Sequence, residues 1–369
     1  MAITLVLMRH FFDLYLKGSE GALVSFFSWG WHGVDLFFAL SGFLIGGQII
    51  EECRDREFCF KRFFVKRSFR ILPPYFFAIA VFVVFFSFVN GFFILENSQV
   101  FNDFLVHALY LQDYIQSGQM MYNGIYWSLA VEEKFYIILP VVIFFLYSRR
   151  KKENSNCLPA ALGALALVGI ALRFMTFEPG KEFWSSYLAP FHLRFDNLLV
   201  GVLAAFLFIG FRGRFSIVWK LALALVAAAC LGLSFVYGGF GTGYFNVCWQ
   251  FTLTGVGFAA LILSLVSVEA GKYLPFKKVF SALSKYSYTM YLYHLLILSL
   301  THKWLKALLT RPGTDTAGFL FVFVLYFAFV MVSSFVIYNL VDRPFMNWRR
   351  RLLERREKKA EAAAVVAGL

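Results

Sequence analysis

His10 and Asp13 form one of several pairs of ionisable side chains whose spacing suits chemistry. They are three residues apart, so a helix would bring them together on one face. A carboxylate beside an imidazole orients the ring and favours its cationic form. The pair therefore predicts a histidine held for acid–base work. An Asp13 that merely faces external water is the alternative.

The segment WSLAVEEKFYIILPVVIFFLYS (127–148) places two glutamates at the start of a long apolar run. Neighbouring residues point about 100° apart on a helix, so only one of Glu132 and Glu133 is expected to face a given cavity. Glu132 shares its face with Ser128 and Tyr136, which stand four residues before and after it. That polar stripe favours Glu132 as the carboxylate that points inward.

Arg67 and Arg70 stand three residues apart where a basic segment leads into an apolar one. On a helix the two guanidinium groups can converge on one polyanion and bind phosphate through paired, charge-assisted hydrogen bonds. Phosphates of a soluble ligand and anionic lipid headgroups both fit this pair. The spacing leaves the choice between them open.

Charges also lie within other apolar segments, where each costs roughly 2.5–3.5 kcal/mol to insert at mid-helix. Arg194 and Asp196 are two residues apart and point away from each other on a helix, which predicts a separate partner for each. Arg173 stands close to the predicted outer end of its segment, where it could extend toward the membrane surface, and a structural role is favoured for it. Functional sites and structural ion pairs both produce such charges.

These residues belong to a chain too apolar for a soluble domain. Its 369 residues are 60% hydrophobic, include 48 Phe and have a mean hydropathy of +0.68, whereas soluble domains average nearer half apolar residues and a quarter charged. Apolar runs of helix length predict an all-α, polytopic transmembrane helical bundle of about ten helices, the first of them truncated. The runs are 1–16, 30–50, 71–95, 126–147, 159–177, 191–210, 217–237, 245–266, 285–302 and 317–340.

The formal charge of +13 is explained by membrane topology and not by nucleic-acid binding. With a cytoplasmic start, the predicted inner segments hold 26 Lys and Arg residues and the outer segments hold 5. This asymmetry follows the positive-inside rule, and the opposite orientation would invert it. We therefore predict a plasma (inner) membrane protein with both termini in the cytoplasm, one integral domain over 1–345 and a basic tail over 346–369.

Six stretches, in order, resemble the membrane acyltransferase 3 family, which includes the O-antigen and exopolysaccharide O-acetylases. They span nearly the whole chain, and the SGFL and WSL-x-x-E pieces are fairly specific by themselves. The stretches are GVDLFFALSGFLI (33–45), KRSFRILPPYF (66–76), YWSLAVEEKFYIILP (126–140), RFDNLLVGVLAA (194–205), SKYSYTMYLYH (284–294) and VDRPF (341–345).

This resemblance implies that residues 1–345 form an integral membrane O-acyltransferase domain. The enzyme would take an acyl group, usually acetyl, from a cytosolic acyl-CoA such as acetyl-CoA. It would deliver that group to a sugar hydroxyl of an envelope polysaccharide or lipid-linked glycan. Its partners would be acyl-CoA, that glycan and membrane lipid, with no nucleic acid, no metal and no tightly bound cofactor.

The resemblance also assigns roles to residues. It implies that His10 and Glu132 are catalytic and that Arg67 and Arg70 bind acyl-CoA. His10 would take the proton from the attacking hydroxyl or carry the acyl group transiently, and these two roles stay open. Glu132 would orient the imidazole or pair with a buried arginine. The residues predicted to support the site are Asp35, Ser41, Arg194, Asp196, Tyr288 and His294.

The start of the chain departs from the family pattern. The family's first helix usually carries an arginine about ten residues before the histidine, but only nine residues precede His10. Nine residues also cover less than half of a bilayer crossing at 1.5 Å per residue. A start codon assigned too far downstream, a truncated chain or an impaired copy would each explain this, and we expect the first.

A multi-pass transporter or flippase for a lipid-linked or small anionic substrate is the alternative function, because the same buried charges could line a translocation path. That function predicts internal symmetry and helix pairs broken by Gly or Pro. No convincing internal repeat is present in the sequence. A degenerate scaffold without catalysis is a third possibility.

Overall fold

The computed structural model describes residues 1–16, 21–90, 98–115, 123–148, 157–211, 214–266, 277–309 and 316–366. Every regular element in these ranges is helical, which confirms the predicted all-α class. Each of the ten predicted apolar runs overlaps at least one of the helices. The α-helices are α1 (Ala2–Tyr15), α2 (Ala22–Ser28), α3 (Gly33–Arg54), α4 (Phe60–Asn90), α5 (Ser98–Ala108), α6 (Asn123–Ser148), α7 (Cys157–Thr176), α8 (Phe195–Gly210), α9 (Ile217–Tyr237), α10 (Tyr244–Cys248), α11 (Gln250–Val266), α12 (Lys277–Leu309), α13 (Thr316–Ile337) and α14 (Arg343–Val366).

Five helical segments among the described residues are long and apolar enough to cross a membrane. The apolar helices α8 and α11 are shorter, with 16 and 17 residues. At 1.5 Å per residue, α8 is about 24 Å long, against a hydrocarbon core of about 30 Å. The number of ten crossings therefore stays a prediction. The five long segments are Ala22–Arg54, Phe60–Phe85, Cys157–Thr176, Ile217–Tyr237 and Thr316–Arg355.

The helices group into two units. The first contains Met1–Phe58 and Asn97–Lys277, and the second contains Cys59–Glu96 and Lys278–Leu369. The first unit thus holds α1 to α3 and α5 to α11, and the second holds α4 and α12 to α14. The predicted boundary between a domain and a basic tail falls within α14, which begins at Arg343. That division of the chain stays a prediction.

Glycines let α3 and α8 cross closely in the first unit. A Cβ added to Gly42 would lie 2.9 Å from the carbonyl carbon of Leu198, and one added to Gly201 would lie 2.9 Å from the amide nitrogen of Phe43. Small residues allow helix backbones to approach in this way in membrane proteins. The crossing packs the first half of α8 against the middle of α3. The buried apolar residues around it are Ala2, Leu36, Ala39, Phe43, Ala204, Ala205, Phe258, Ala259, Ile262 and Leu263.

In the second unit, α4 contains two consecutive prolines (73–74). Proline has no amide hydrogen, so this turn lacks two of the usual backbone hydrogen bonds. Tyr288 of α12 donates its hydroxyl to the carbonyl of Ile71 at 3.1 Å, close to the proline turn. A π-helical turn (Tyr338–Asp342) joins α13 to α14, and α14 packs against α4.

Candidate active site

Asp35, in the first turn of α3, is fully buried and is the centre of a polar cluster. Its carboxylate accepts hydrogen bonds from His32 Nδ1 at 2.6 Å, Asn197 Nδ2 at 2.7 Å and Thr254 Oγ1 at 3.3 Å, and it forms an ion pair with Arg194. These partners come from the turn before α3, from the start of α8 and from α11. The Asp35 carboxylate therefore joins α3 to the start of α8 and to α11.

Arg194 is also held by aromatic rings. Its guanidinium carbon lies 3.8 Å from the centroid of the Phe251 ring and 5.6 Å from the centroids of Phe38 and Trp127. A planar guanidinium can stack on a ring while its edge pairs with a carboxylate, which an ammonium cannot do. The predicted supporting residues Asp35 and Arg194 therefore meet as a structural ion pair.

The hydrogen bonds of His32 fix its tautomer. The backbone N–H of Gly239 donates to Gln250 Oε1 at 3.2 Å, so the amide NH2 of Gln250 is the end that faces His32. Gln250 Nε2 lies 3.0 Å from His32 Nε2, which must then be the acceptor. The ring proton is left on Nδ1, where it is donated to Asp35. His32 therefore connects the Asp35 carboxylate to Gln250, the first residue of α11.

Arg173 and Asp196 form a second buried ion pair. Two Arg173 nitrogens donate to the two Asp196 oxygens at 2.8 and 2.7 Å, and Nη1 also donates to the carbonyl of Leu193 at 2.6 Å. Thr252 donates to Asp196 at 3.1 Å. The interpretation that Arg173 could extend to the membrane surface is wrong, because Asp196 neutralises it inside the unit, where its exposure is 0%. The expectation of separate partners for Arg194 and Asp196 is confirmed.

Ser41 of α3 and Glu132 of α6 are in direct contact. Ser41 Oγ donates to Glu132 Oε1 at 2.8 Å across 91 positions of sequence. Ser128 and Tyr136, on the same face of α6, are buried, whereas Ser41 and Glu132 are only partly buried. The predicted inward polar stripe on α6 is therefore present, and the carboxylate at its centre is still accessible.

Lys134 is paired outside this stripe. Its ammonium donates to Asp113 Oδ1 and to the carbonyl of Tyr110, both at 2.6 Å. Burial raises the pKa of the Asp113 carboxyl, while the charge of Lys134 acts in the opposite direction. Lys134 thus binds α6 to the segment between α5 and α6.

His10 lies on α1 and is partly buried. On the same helix, Arg9 Nε forms a salt bridge with Asp13 Oδ2 at 2.9 Å, and Arg9 Nη1 donates to the carbonyl of Ser28 at 3.1 Å. Asp13 is therefore bound to Arg9, one helical turn earlier. The predicted contacts of His10 with Asp13 and with Glu132 stay predictions.

The remaining predicted site residues belong to the second unit. Arg70 is exposed, and the Arg67 guanidinium carbon lies 5.9 Å from the centroid of the Phe63 ring. His294 is fully buried and donates Nδ1–H to the carbonyl of Tyr291 at 2.7 Å, as a carbonyl can only accept. The predicted convergence of the two arginines with His10 and Glu132 stays a prediction.

Four buried residues of the Asp35 cluster are not among those predicted from the sequence. His32 carried a usable signal, because it stands three residues before Asp35, the same spacing as His10 and Asp13. The other three carried none, since their amide and hydroxyl side chains are ordinary in helices. They are Asn197, Gln250 and Thr254.

Comparison with known proteins identifies the family. A family described as "Acyltransferase domain" matches residues 1–339. The O-acetyltransferase OatA of Staphylococcus aureus (strain NCTC 8325 / PS 47) is 27% identical over 300 residues, which cover 72% of this chain and 46% of that protein. The "Putative O-acetyltransferase SACOL0978" of S. aureus (strain COL) is 23% identical over 347 residues, covering 87% of this chain and 54% of that protein.

The chain spans about half the length of the curated relatives it matches. No solved structure matches it.

Proposed function

The chain belongs to this acyltransferase family, and on that premise we propose that it is a membrane-bound O-acetyltransferase. It would move an acetyl group from cytosolic acetyl-CoA to a sugar hydroxyl of an envelope polysaccharide or a lipid-linked glycan. The observation that carries this proposal is the family match over residues 1–339, nearly the whole chain. The names of the two relatives specify O-acetyl transfer, and on that ground we choose acetyl as the acyl group.

The arrangement of the buried charges supports an enzyme of this kind. The ion pairs Asp35–Arg194 and Arg173–Asp196 are closed within the first unit, where they hold α3, α7, α8 and α11 together. Glu132 differs from those carboxylates because it is only partly buried. The scaffold thus fixes α3, and α3 presents Ser41 to Glu132. Glu132 is the acidic side chain that we assign to the reaction.

In the proposed reaction the sugar hydroxyl oxygen attacks the thioester carbonyl carbon. His10 accepts the hydroxyl proton as the C–O bond forms, and it returns a proton to the sulfur as the C–S bond breaks. The products are the acetylated sugar and free CoA. Transfer through an acetyl group carried on His10 gives the same products in two steps. Glu132 would hold the imidazole in a productive orientation and stabilise its cationic form.

Arg67 and Arg70 are proposed to bind the phosphates of the donor. They stand near the start of α4, in a segment predicted to face the cytosol, where acetyl-CoA is found. Exposure of Arg70 suits a site that a soluble nucleotide must reach. A guanidinium group donates two parallel hydrogen bonds to a phosphate, whereas a lysine ammonium acts as a point charge and binds phosphate with less geometric specificity.

A transporter or flippase is less favoured than an acyltransferase. The family match supports acyl transfer. Four of the charges that suggested a path, Asp35, Arg173, Arg194 and Asp196, are fully buried and paired with each other. A translocation path requires such groups to line a cavity that the substrate can enter.

Inverted membrane vesicles given radiolabelled acetyl-CoA test the proposal. The wild-type protein should transfer label covalently to glycan, and His10→Ala should reduce labelling to the level of vesicles without the protein. His302→Ala is the matched control, because His302 is another partly buried histidine with no assigned role. Unchanged labelling with His10→Ala would remove His10 from catalysis. No labelling by the wild type, with glycan crossing the membrane, would instead support the transporter.

A further inference from the structure

The C-terminal helix brings additional arginines to the helix that carries Arg67 and Arg70. Arg349 Nη1 of α14 donates to the carbonyl of Lys66 in α4 at 3.3 Å. Beside it, the ring of Trp348 meets the edge of Phe69 with the centroids 5.2 Å apart. These contacts lie entirely within the second unit and set the register of α14 along α4.

This register places Arg349 next to Arg70. In an α-helix the carbonyl of Lys66 is the one that faces the amide of Arg70, four residues later. The Arg349 guanidinium therefore lies at the turn of α4 on which Arg70 stands. The positive charges of Arg70 and Arg350 both act on the Arg349 guanidinium.

Within the described part of the chain, the cluster of Arg70, Arg349 and Arg350 has no acidic partner. Among the described residues, no salt bridge joins any of the three to a carboxylate. In contrast, Arg9, Arg173 and Arg194, which lie within predicted membrane segments, each form a salt bridge with an aspartate. Like charges held together repel each other, and the repulsion is relieved when an anion binds between them. Several guanidinium forks that converge on one point are the arrangement that suits a phosphate group.

We infer that Arg349 and Arg70 together bind a phosphate group, with Arg350 adding positive charge at the rim. In the acetyl transfer proposed above, on which this assignment rests, the group is a phosphate of the CoA nucleotide. The family match ends at residue 339, so it does not include Arg349. The phosphate of an anionic lipid headgroup has the same chemistry and is the other source.

The predicted topology agrees with this site. The segments that contain Arg70 and Arg349 are both predicted to be cytoplasmic from the distribution of Lys and Arg. In the structure α14 packs against α4, which agrees with both segments lying on the same side of the membrane. A cytosolic nucleotide would reach both arginines from that side.

Binding of CoA to the full chain in nanodiscs of phosphatidylcholine, measured by titration calorimetry, tests the inference. Arg349→Ala should weaken CoA binding about 10-fold, and Arg349→Lys should weaken it less because the charge remains. Binding of pantetheine, which lacks the nucleotide phosphates, should not change. Arg351→Ala is the matched control, since Arg351 is an exposed arginine of the same helix. Thermal unfolding of each variant verifies that the fold is retained.

A second arm identifies the source of the phosphate. If Arg349→Ala leaves CoA binding unchanged but reduces retention of phosphatidylglycerol, the phosphate site stands and its ligand is a lipid. Unchanged affinity for both CoA and phosphatidylglycerol overturns the inference. If Arg70→Ala weakens CoA binding and Arg349→Ala does not, the donor site proposed from Arg67 and Arg70 survives while the role of Arg349 falls. A wild-type chain that binds no CoA defeats the proposed donor, and the lipid arm still decides the role of Arg349.

Discussion

Gly42→Ala should separate α3 from α8 and weaken the cluster around Asp35. The added Cβ would lie 2.9 Å from the Leu198 carbonyl carbon and 3.1 Å from the Gly201 Cα, where ordinary contact begins at 3.4 Å. The carbon contact alone requires a shift of 0.5 Å, and the Leu198 oxygen lies closer still. All three obstacles are backbone atoms, so no side chain can rotate away. Overpacking of this kind costs about 1–3 kcal/mol.

The same shift would lengthen the bond from Asn197 to Asp35, which is 2.7 Å long and joins the two helices. Gly47→Ala is the matched control on α3, because its Cβ would meet only the Ala205 Cβ at an ordinary 3.4 Å. Replacing a helical glycine with alanine without a clash stabilises by about 0.5–1 kcal/mol. The midpoint temperature of unfolding in nanodiscs and the rate of acetyl transfer in vesicles should both fall for Gly42→Ala. Neither should fall for Gly47→Ala. Equal stability and activity of the two variants would refute the close crossing.

Two further predictions concern buried charge and pH. Arg173→Ala should lower the free energy of unfolding by about 3–5 kcal/mol, because it leaves Asp196 buried without its partner. The double variant Arg173→Met with Asp196→Leu should recover most of this loss, because it removes both charges. Equal destabilisation of the two variants in thermal unfolding would contradict this. Burial lowers the pKa of His107 to about 4 from its ordinary 6.5. Between these two pH values the unfolded chain binds a proton that the folded chain does not. The free energy of unfolding should therefore fall by up to about 1.4 kcal/mol per pH unit as the pH drops through this range. His107→Gln should flatten that slope in unfolding measured between pH 4 and 7, and an unchanged slope would exclude His107 as its source.

The helices could be predicted because helix-length apolar runs leave few alternatives to helical backbone in a membrane. The number of crossings could not be predicted with the same certainty. The apolar helix α8 has only 16 residues, and α6 carries charges at residues 132–134 within its length. Whether such helices cross depends on their neighbours, which a single sequence does not display.

Candidate residues were predictable where the signal is local, and partners were not. Helix geometry predicts that Arg194 and Asp196 point in different directions. The structure confirms this, because the two residues form salt bridges with different partners. The partner of Arg194 is Asp35, which stands 159 positions earlier, and no local spacing connects the two. Arg173 was misplaced for the same reason, because its position near a helix end gives no indication that Asp196 lies opposite.

The buried carboxylates differ in a way that separates scaffold from chemistry. Asp35 and Asp196 are enclosed and bound by arginines, so their charge is already satisfied and a substrate proton has no access to them. Glu132 accepts from a neutral hydroxyl and is partly exposed, so it can still respond to a neighbouring cation. An imidazolium formed during acyl transfer is such a cation. Among these three carboxylates, Glu132 is therefore the one that fits the proposed role of stabilising this cation.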